Sequence, residues 1–127
     1  MAFSDCSYLT EVKIPDSVTE IGDHAFFYCE HLKSVIFSAN LLTIRDTAFR
    51  GCYKLVNINL PDGLKSIEHS AFSKCRWLIE IKIPSSVTDI GEGIFSECKK
   101  LERIRCKRDL NGAEKLREGN KVRLLRY

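Results

Sequence analysis

The chain has 127 residues and a mass of 14.5 kDa, with 44% hydrophobic and 29% charged residues. That composition fits one folded domain and excludes a disordered chain, while the longest uncharged stretch, Ser34 to Ile44, is too short and too polar to span a bilayer. The net charge of +3 is unevenly spread: residues 1–106 hold 13 basic and 14 acidic side chains, residues 107–127 seven basic and three acidic.

Met1-Ala2-Phe3-Ser4-Asp5 enters polar sequence with no basic start and no apolar core, so no signal peptide is expected. The Ala-Phe pair then returns every 23 residues. Phe stands at 3, 26, 49, 72 and 95, with Ala2, Ala25, Ala48 and Ala71 before it and Ile94 in the last copy. Three residues on come Cys6, Cys29, Cys52, Cys75 and Cys98, then Leu9, Leu32, Leu55, Leu78 and Leu101. Val12, Val35, Ile58, Ile81 and Ile104 follow, and after them Ile14, Phe37, Leu60, Ile83 and Cys106. Each complete unit closes on Val18, Leu41, Leu64 or Val87 and on Ile21, Ile44, Ile67 or Ile90, without a gap from Ala2 to Cys106. A period of this length is the mark of a solenoid.

Within a unit, Asp23 and Asp46 stand two residues before Ala-Phe, where a carboxylate can cap a single helical turn over Ala-Phe-x-x-Cys. In Leu-x-x-Val-x-Ile-Pro the apolar positions alternate with polar ones, which predicts a short strand with one buried face, stopped where proline removes a ladder donor. Val-x-x-Ile predicts a second short extended segment or a turn. One unit cannot bury its own apolar face, so neighbours must stack with parallel strands about 4.8 Å apart. The expected fold is an α/β repeat solenoid, with residues 1–106 as an array of about five units, the first incomplete.

The phrases Ile83-Pro84-Ser85-Ser86-Val87-Thr88-Asp89-Ile90-Gly91 and Asp46-Thr47-Ala48-Phe49-Arg50-Gly51-Cys52-Tyr53-Lys54-Leu55 resemble the BspA-type (Treponema pallidum-type) leucine-rich repeat. The resemblance covers residues 2–106 and implies a right-handed leucine-rich repeat solenoid with a short parallel sheet on its concave face. It also implies an adhesion role, as in surface proteins of bacteria and some parasitic protists. Ser38 in place of Pro, Arg45 and Glu68 at the positions of Gly22 and Gly91, and Ile94 in place of Ala depart from the pattern.

Six cysteines invite a disulfide or zinc reading, but five of them occupy one column. Stacked in an interior ladder, cysteine serves as a small apolar residue with a weak donor, so free buried thiols are expected. No C-x-x-C pair exists, and Cys98 and Cys106 lie in different columns, so zinc has no sequence support. His24, His31 and His69 fall in three different columns and read as solvated surface residues rather than a catalytic or metal cluster. Gly91-Glu92-Gly93 lacks the glycines and flanking elements of a nucleotide loop, and the Phe column reads as a core spine. No cofactor, no metal and no enzyme activity are expected.

In solenoids the extended sheet face is where partners bind. Its outward positions here are Glu11 and Lys13, Ser34 and Ile36, Asn57 and Asn59, Glu80 and Lys82, and Arg103 and Arg105. The mixed signs argue against a nucleic-acid groove and fit a protein surface. From Lys107 the period fails. Leu110 to Glu118 predicts a short amphipathic helix with Leu110 and Leu116 inward, stopped at Gly119-Asn120, and Val122, Leu124 and Leu125 predict a returning strand, together a basic C-terminal cap or tail over residues 107–127.

At the other end, Met1 opens directly on a unit with no capping sequence, which predicts either a fragment of a longer array or self-association through the uncapped first rung. The function expected from all this is a non-enzymatic protein-protein interaction module. The resemblance implies an adhesion target such as an extracellular matrix or host surface protein. The alternative is a structural spacer or self-associating repeat fragment. Location stays open: reduced-looking cysteines read as intracellular, while the resemblance implies a cell-surface or secreted protein.

Overall fold

A computed structural model describes residues 3–127, apart from the side chain of Asn57; Met1 and Ala2 lie outside the described residues. In chain order the strands are β1 (Glu11–Lys13), β2 (Glu20–Ile21), β3 (Ser34–Ile36), β4 (Thr43–Ile44), β5 (Asn57–Ile58), β6 (Ser66–Ile67), β7 (Glu80–Lys82), β8 (Asp89–Ile90), β9 (Arg103–Cys106) and β10 (Arg123–Arg126). Every pairing is parallel, between segments one rung apart, and the five cysteines of the repeat mark five rungs.

Two ladders result. Leu-x-x-Val-x-Ile builds the first, in which β1-β3-β5 and β7-β9-β10 form two three-stranded stretches. Val-x-x-Ile, readable from sequence as strand or turn, is a strand and builds the second, β2-β4-β6-β8. The 23-residue period sets the register: Val12 pairs with Val35, Val35 with Ile58, Ile44 with Ile67 and Ile67 with Ile90. Like therefore sits on like, and each apolar column becomes a continuous buried stack.

Almost nothing of the helical half of the expected α/β fold is found among the described residues. Among the described residues the single helix is a 3-10 helix, Ala113–Arg117, and the array is a parallel-strand β-solenoid of about five turns. Ala-Phe-x-x-Cys forms consecutive turns instead, because two residues per rung take left-handed backbone angles: His24 (φ 58°) and Tyr28 (φ 55°), Thr47 (54°) and Gly51 (77°), Ser70 (54°) and Lys74 (60°), Gly93 (61°) and Glu97 (59°). A lone helical turn would leave its first N–H groups without partners. Here alternate N–H groups split the work. Ala25, Phe27 and Cys29 donate back within the turn to Gly22, His24 and Phe26, while His24, Phe26 and Tyr28 donate to Asp46, Ala48 and Arg50 of the next rung. Nor does Asp46 cap its own turn: its Oδ1 accepts from the N–H of His69, one rung on, at 3.1 Å.

The Phe column is the spine. Successive ring centroids from Phe3 to Phe95 lie 5.4, 5.1, 5.3 and 5.9 Å apart with the rings stacked, and all but Phe3 are buried. Ser38 and Ser73, the two polar side chains in the core, are both hydrogen-bonded, Ser38 Oγ to the Asp16 carbonyl and Ser73 Oγ to the Ser96 hydroxyl. Beyond Cys106 the chain keeps winding. Leu110, Ala113, Leu116 and Val122 are buried, and β10 pairs residue for residue with β9. The helix expected over Leu110 to Glu118 is shorter and tighter than its pattern, the 3-10 helix beginning after Gly112 in the left-handed region.

Candidate functional site

The first ladder carries the residues singled out from the sequence. Glu11, Lys13, Asn59, Glu80, Lys82 and Arg105 are exposed, Ile36 is 52% exposed, and Ser34 and Arg103 are half-buried. Asn57 pairs with Ser34 through its backbone; its side chain is outside the described part. Rung stacking joins some of these charges. Arg103 Nε lies 2.8 Å from Glu80 Oε1 on the preceding rung, and its Nη1 lies 3.0 Å from Glu102 Oε1. Lys82 Nζ sits 5.0 Å from the ring centre of Tyr127, whose hydroxyl donates to the Ile83 carbonyl at 2.6 Å.

Two shallow grooves flank the third rung on this face. One, of about 380 Å³, runs past Ile36, Phe37 and Pro61; the other, of about 350 Å³, runs past Val56, Lys82 and Arg105. They share Asn59, Leu60 and Asp62. Val56 and Ile79 are further exposed apolar side chains of the middle rungs (38% and 48%). Sequence reasoning passed over Val56, Ile79 and Asp62. The available signal was a column occupied by Thr10, Lys33 and Glu102 elsewhere but by Val and Ile in the middle rungs.

A larger groove of about 670 Å³ lies between the second ladder and the tail, lined by Glu68, His69, Asp89, Gly91, Asn111 and Lys115 among others. At its margin the carboxylates of Asp23, Asp46 and Glu68 converge within 4.8 Å. Arg45 meets two of them, Asp23 Oδ1 at 3.5 Å and Glu68 Oε1 at 3.6 Å, and also Glu20 Oε1 at 3.1 Å. Loss of hydration holds the Glu68 carboxyl above its ordinary range despite Arg45. These ion pairs, and the bond from the His69 N–H to Asp46, tie neighbouring rungs together. The histidines stand apart: His24 packs edge-on against Phe27, His31 Nδ1 meets the Ser7 carbonyl, and His69 Nδ1 accepts from the Glu92 N–H at 3.1 Å.

The thiols are free. Cys29, Cys52, Cys75 and Cys98 are buried, and each donates to the carbonyl of the Phe one rung back, at 2.9, 3.2, 3.5 and 3.1 Å. Loss of hydration pushes the Cys29 thiol up to about 11, the Cys52 thiol higher still and the Cys75 thiol well above its ordinary value. We expect these four not to react with a chromogenic disulfide reagent until the chain unfolds. Because the fold prefers the protonated thiol, stability should be fully present below the ordinary value of 9.0 and should decline as pH climbs toward 11. A native chain with rapidly titrating buried thiols, or one with no alkaline loss, would contradict this.

Among the described residues no helix is long and apolar enough to cross a membrane. A family model described as the BspA type leucine-rich repeat region matches residues 1–115 in six copies. Among solved structures, the leucine-rich repeat protein of Treponema pallidum is similar with a TM-score of 0.81 and 38% identity, over 82% of this chain and 49% of that one. A leucine-rich repeat protein from Bacteroides ovatus (TM-score 0.73, 37% identity) covers 82% of this chain and 33% of its own. A leucine-rich cell surface protein from Faecalibacterium prausnitzii (0.72, 32%) covers 94% and 33%. The chain thus spans half or less of the length of these structures. No curated protein matches it.

Proposed function

The chain belongs to the BspA-type leucine-rich repeat family, and from that premise we propose that it is a non-enzymatic protein-binding array that acts in adhesion at a cell surface. The contact surface is the outward face of the first ladder. One observation carries the reading: charges of both signs, the two grooves and exposed Ile36 lie together on a rigid sheet face. Such a face offers apolar anchoring at its centre and electrostatic selection at its rim. The similarity to a cell surface protein supports the location. Residues 107–127 act as the C-terminal cap, with the 3-10 helix and β10 covering the last rung.

The test is binding to immobilised matrix proteins, fibronectin and fibrinogen included, beside a variant with Glu11→Lys, Lys13→Glu, Glu80→Lys and Lys82→Glu. Saturable binding that weakens about tenfold or more in the variant is expected. A folded chain that binds no member of the panel overturns the adhesion reading.

A further inference from the structure

The turn edge just after the cysteine column gathers cations that no carboxylate neutralises. On rungs three to five the positions one before, one after and two after the cysteine are Gly51, Tyr53 and Lys54, then Lys74, Arg76 and Trp77, then Glu97, Lys99 and Lys100. Five are cations and one is an anion. Among the described residues none of the five lies within ion-pair distance of a carboxylate, whereas Arg45 and Arg103 elsewhere each satisfy two or more.

Aromatic rings hold four of these cations in place instead, all but Lys99. Lys54 Nζ and Lys100 Nζ, from the rungs on either side, each lie 5.7 Å from the ring centre of Trp77. Arg76 lies 4.4 Å from the ring centre of Tyr53, and Lys74 Nζ lies 6.0 Å from that of Tyr28 with the phenolic oxygen at 3.4 Å. Resting on a ring restricts a lysine without discharging it, so part of the ordering entropy of binding is already spent. The outcome is a preset row of positive charge climbing the solenoid at rung spacing.

We propose that this edge is a second binding surface, and that it takes a sulfated polysaccharide. The positive excess requires an anionic partner, and three features select among anions. Part of the backbone here is already used between rungs: Gly51, Lys74 and Trp77 donate to Ser73, Ser96 and Tyr53 at 2.9, 2.8 and 3.0 Å. None of the three grooves reaches these residues either. An acidic peptide would therefore find no side-chain pocket, one of its two usual sources of affinity. A single-stranded nucleic acid needs free ring faces on which to stack its bases, and the rings of Trp77 and Tyr53 already carry cations. A linear chain of sulfated sugars needs only spaced point charges, which lysine supplies.

The experiment measures binding of the full chain to heparin over a range of salt concentrations. One variant is Lys54→Gln/Arg76→Gln/Lys100→Gln; the other, Lys107→Gln/Arg108→Gln/Lys121→Gln, removes the same charge from the tail. Saturable, salt-weakened binding is expected, reduced about tenfold or more by the first variant and no more than about twofold by the second. Unsulfated dextran should not bind, and polyglutamate and single-stranded DNA should bind more weakly than heparin. Equal losses in the two variants, a larger loss in the tail variant, no binding by the folded chain, or equal affinity for polyglutamate or DNA would each overturn the proposal. Thermal unfolding checks that both variants fold; should the first fail, Lys99→Gln/Lys100→Gln alters only exposed side chains and must itself weaken heparin binding.

Discussion

Replacing Phe72 by alanine is expected to destabilise the array by about 3–5 kcal/mol. Its side chain is fully buried, with ring centres 5.3 and 5.9 Å from Phe49 and Phe95. The loss combines transfer energy with a cavity that cannot close. Phe72 N–H donates to the Ile94 carbonyl at 2.9 Å, its own carbonyl accepts the Cys98 thiol at 3.1 Å, and Phe49 on the preceding rung is pinned in the same manner. The backbone ladder keeps the rung spacing, so neighbouring rings cannot slide in to fill the space. Phe3→Ala, with the ring already 47% exposed, is the matched comparison and should cost much less. Denaturant unfolding measures both; a loss under about 1 kcal/mol for Phe72→Ala would show that the stack relaxes freely.

Leu116→Ala should cost about 2–5 kcal/mol, confined to one end of the molecule. Leu116 is fully buried in the 3-10 helix, beside Ala113, Leu110 and Val122 from the same terminal segment. In a stack where each rung touches only its neighbours, damage at an end propagates weakly. Hydrogen exchange should therefore quicken in β9 and β10 while β2, β4 and β6 keep their protection. A uniform rise across all strands would mean the chain unfolds as one indivisible unit and that the terminal segment is no separable cap.

What the sequence made plain was whatever depends on apolar identity. The stacking of Phe on Phe and Val35 on Ile58 follows from spacing alone, since only exact repetition lets each column close on itself. The turn over Ala-Phe-x-x-Cys was misread because left-handed backbone has a sequence mark only where glycine occupies it. Gly51 and Gly93 show it, but His24, Tyr28, Thr47, Ser70, Lys74 and Glu97 hide the same conformation. Gly91 and Gly22 share a column yet differ in need: a Cβ on Gly91 would come within 2.5 Å of the His69 backbone nitrogen, while one on Gly22 would meet nothing. Outward positions of the strand face could be named from alternation, but the grooves beside Asn59 depend on how Leu60 and Asp62 leave the strand. His31, Lys54, Trp77 and Lys100 stood visibly in one column; that lysines on adjacent rungs would rest on a tryptophan between them needed coordinates.

The side-chain bonds that tie rung to rung run almost everywhere between residues 22 to 26 apart, as in Arg50 to Ser73, Ser66 to Thr43 and Cys98 to Phe72. Such a molecule has no privileged length. A tandem duplication that copies one period in frame adds a rung whose neighbours are the neighbours it had before, so it is tolerated wherever it begins. Insertion of a single residue, by contrast, turns every side chain beyond it in that strand to the opposite face. Heredity can therefore lengthen or shorten this array in whole steps far more easily than it can edit the interior of one, and every added step enlarges both outer surfaces without redesigning either.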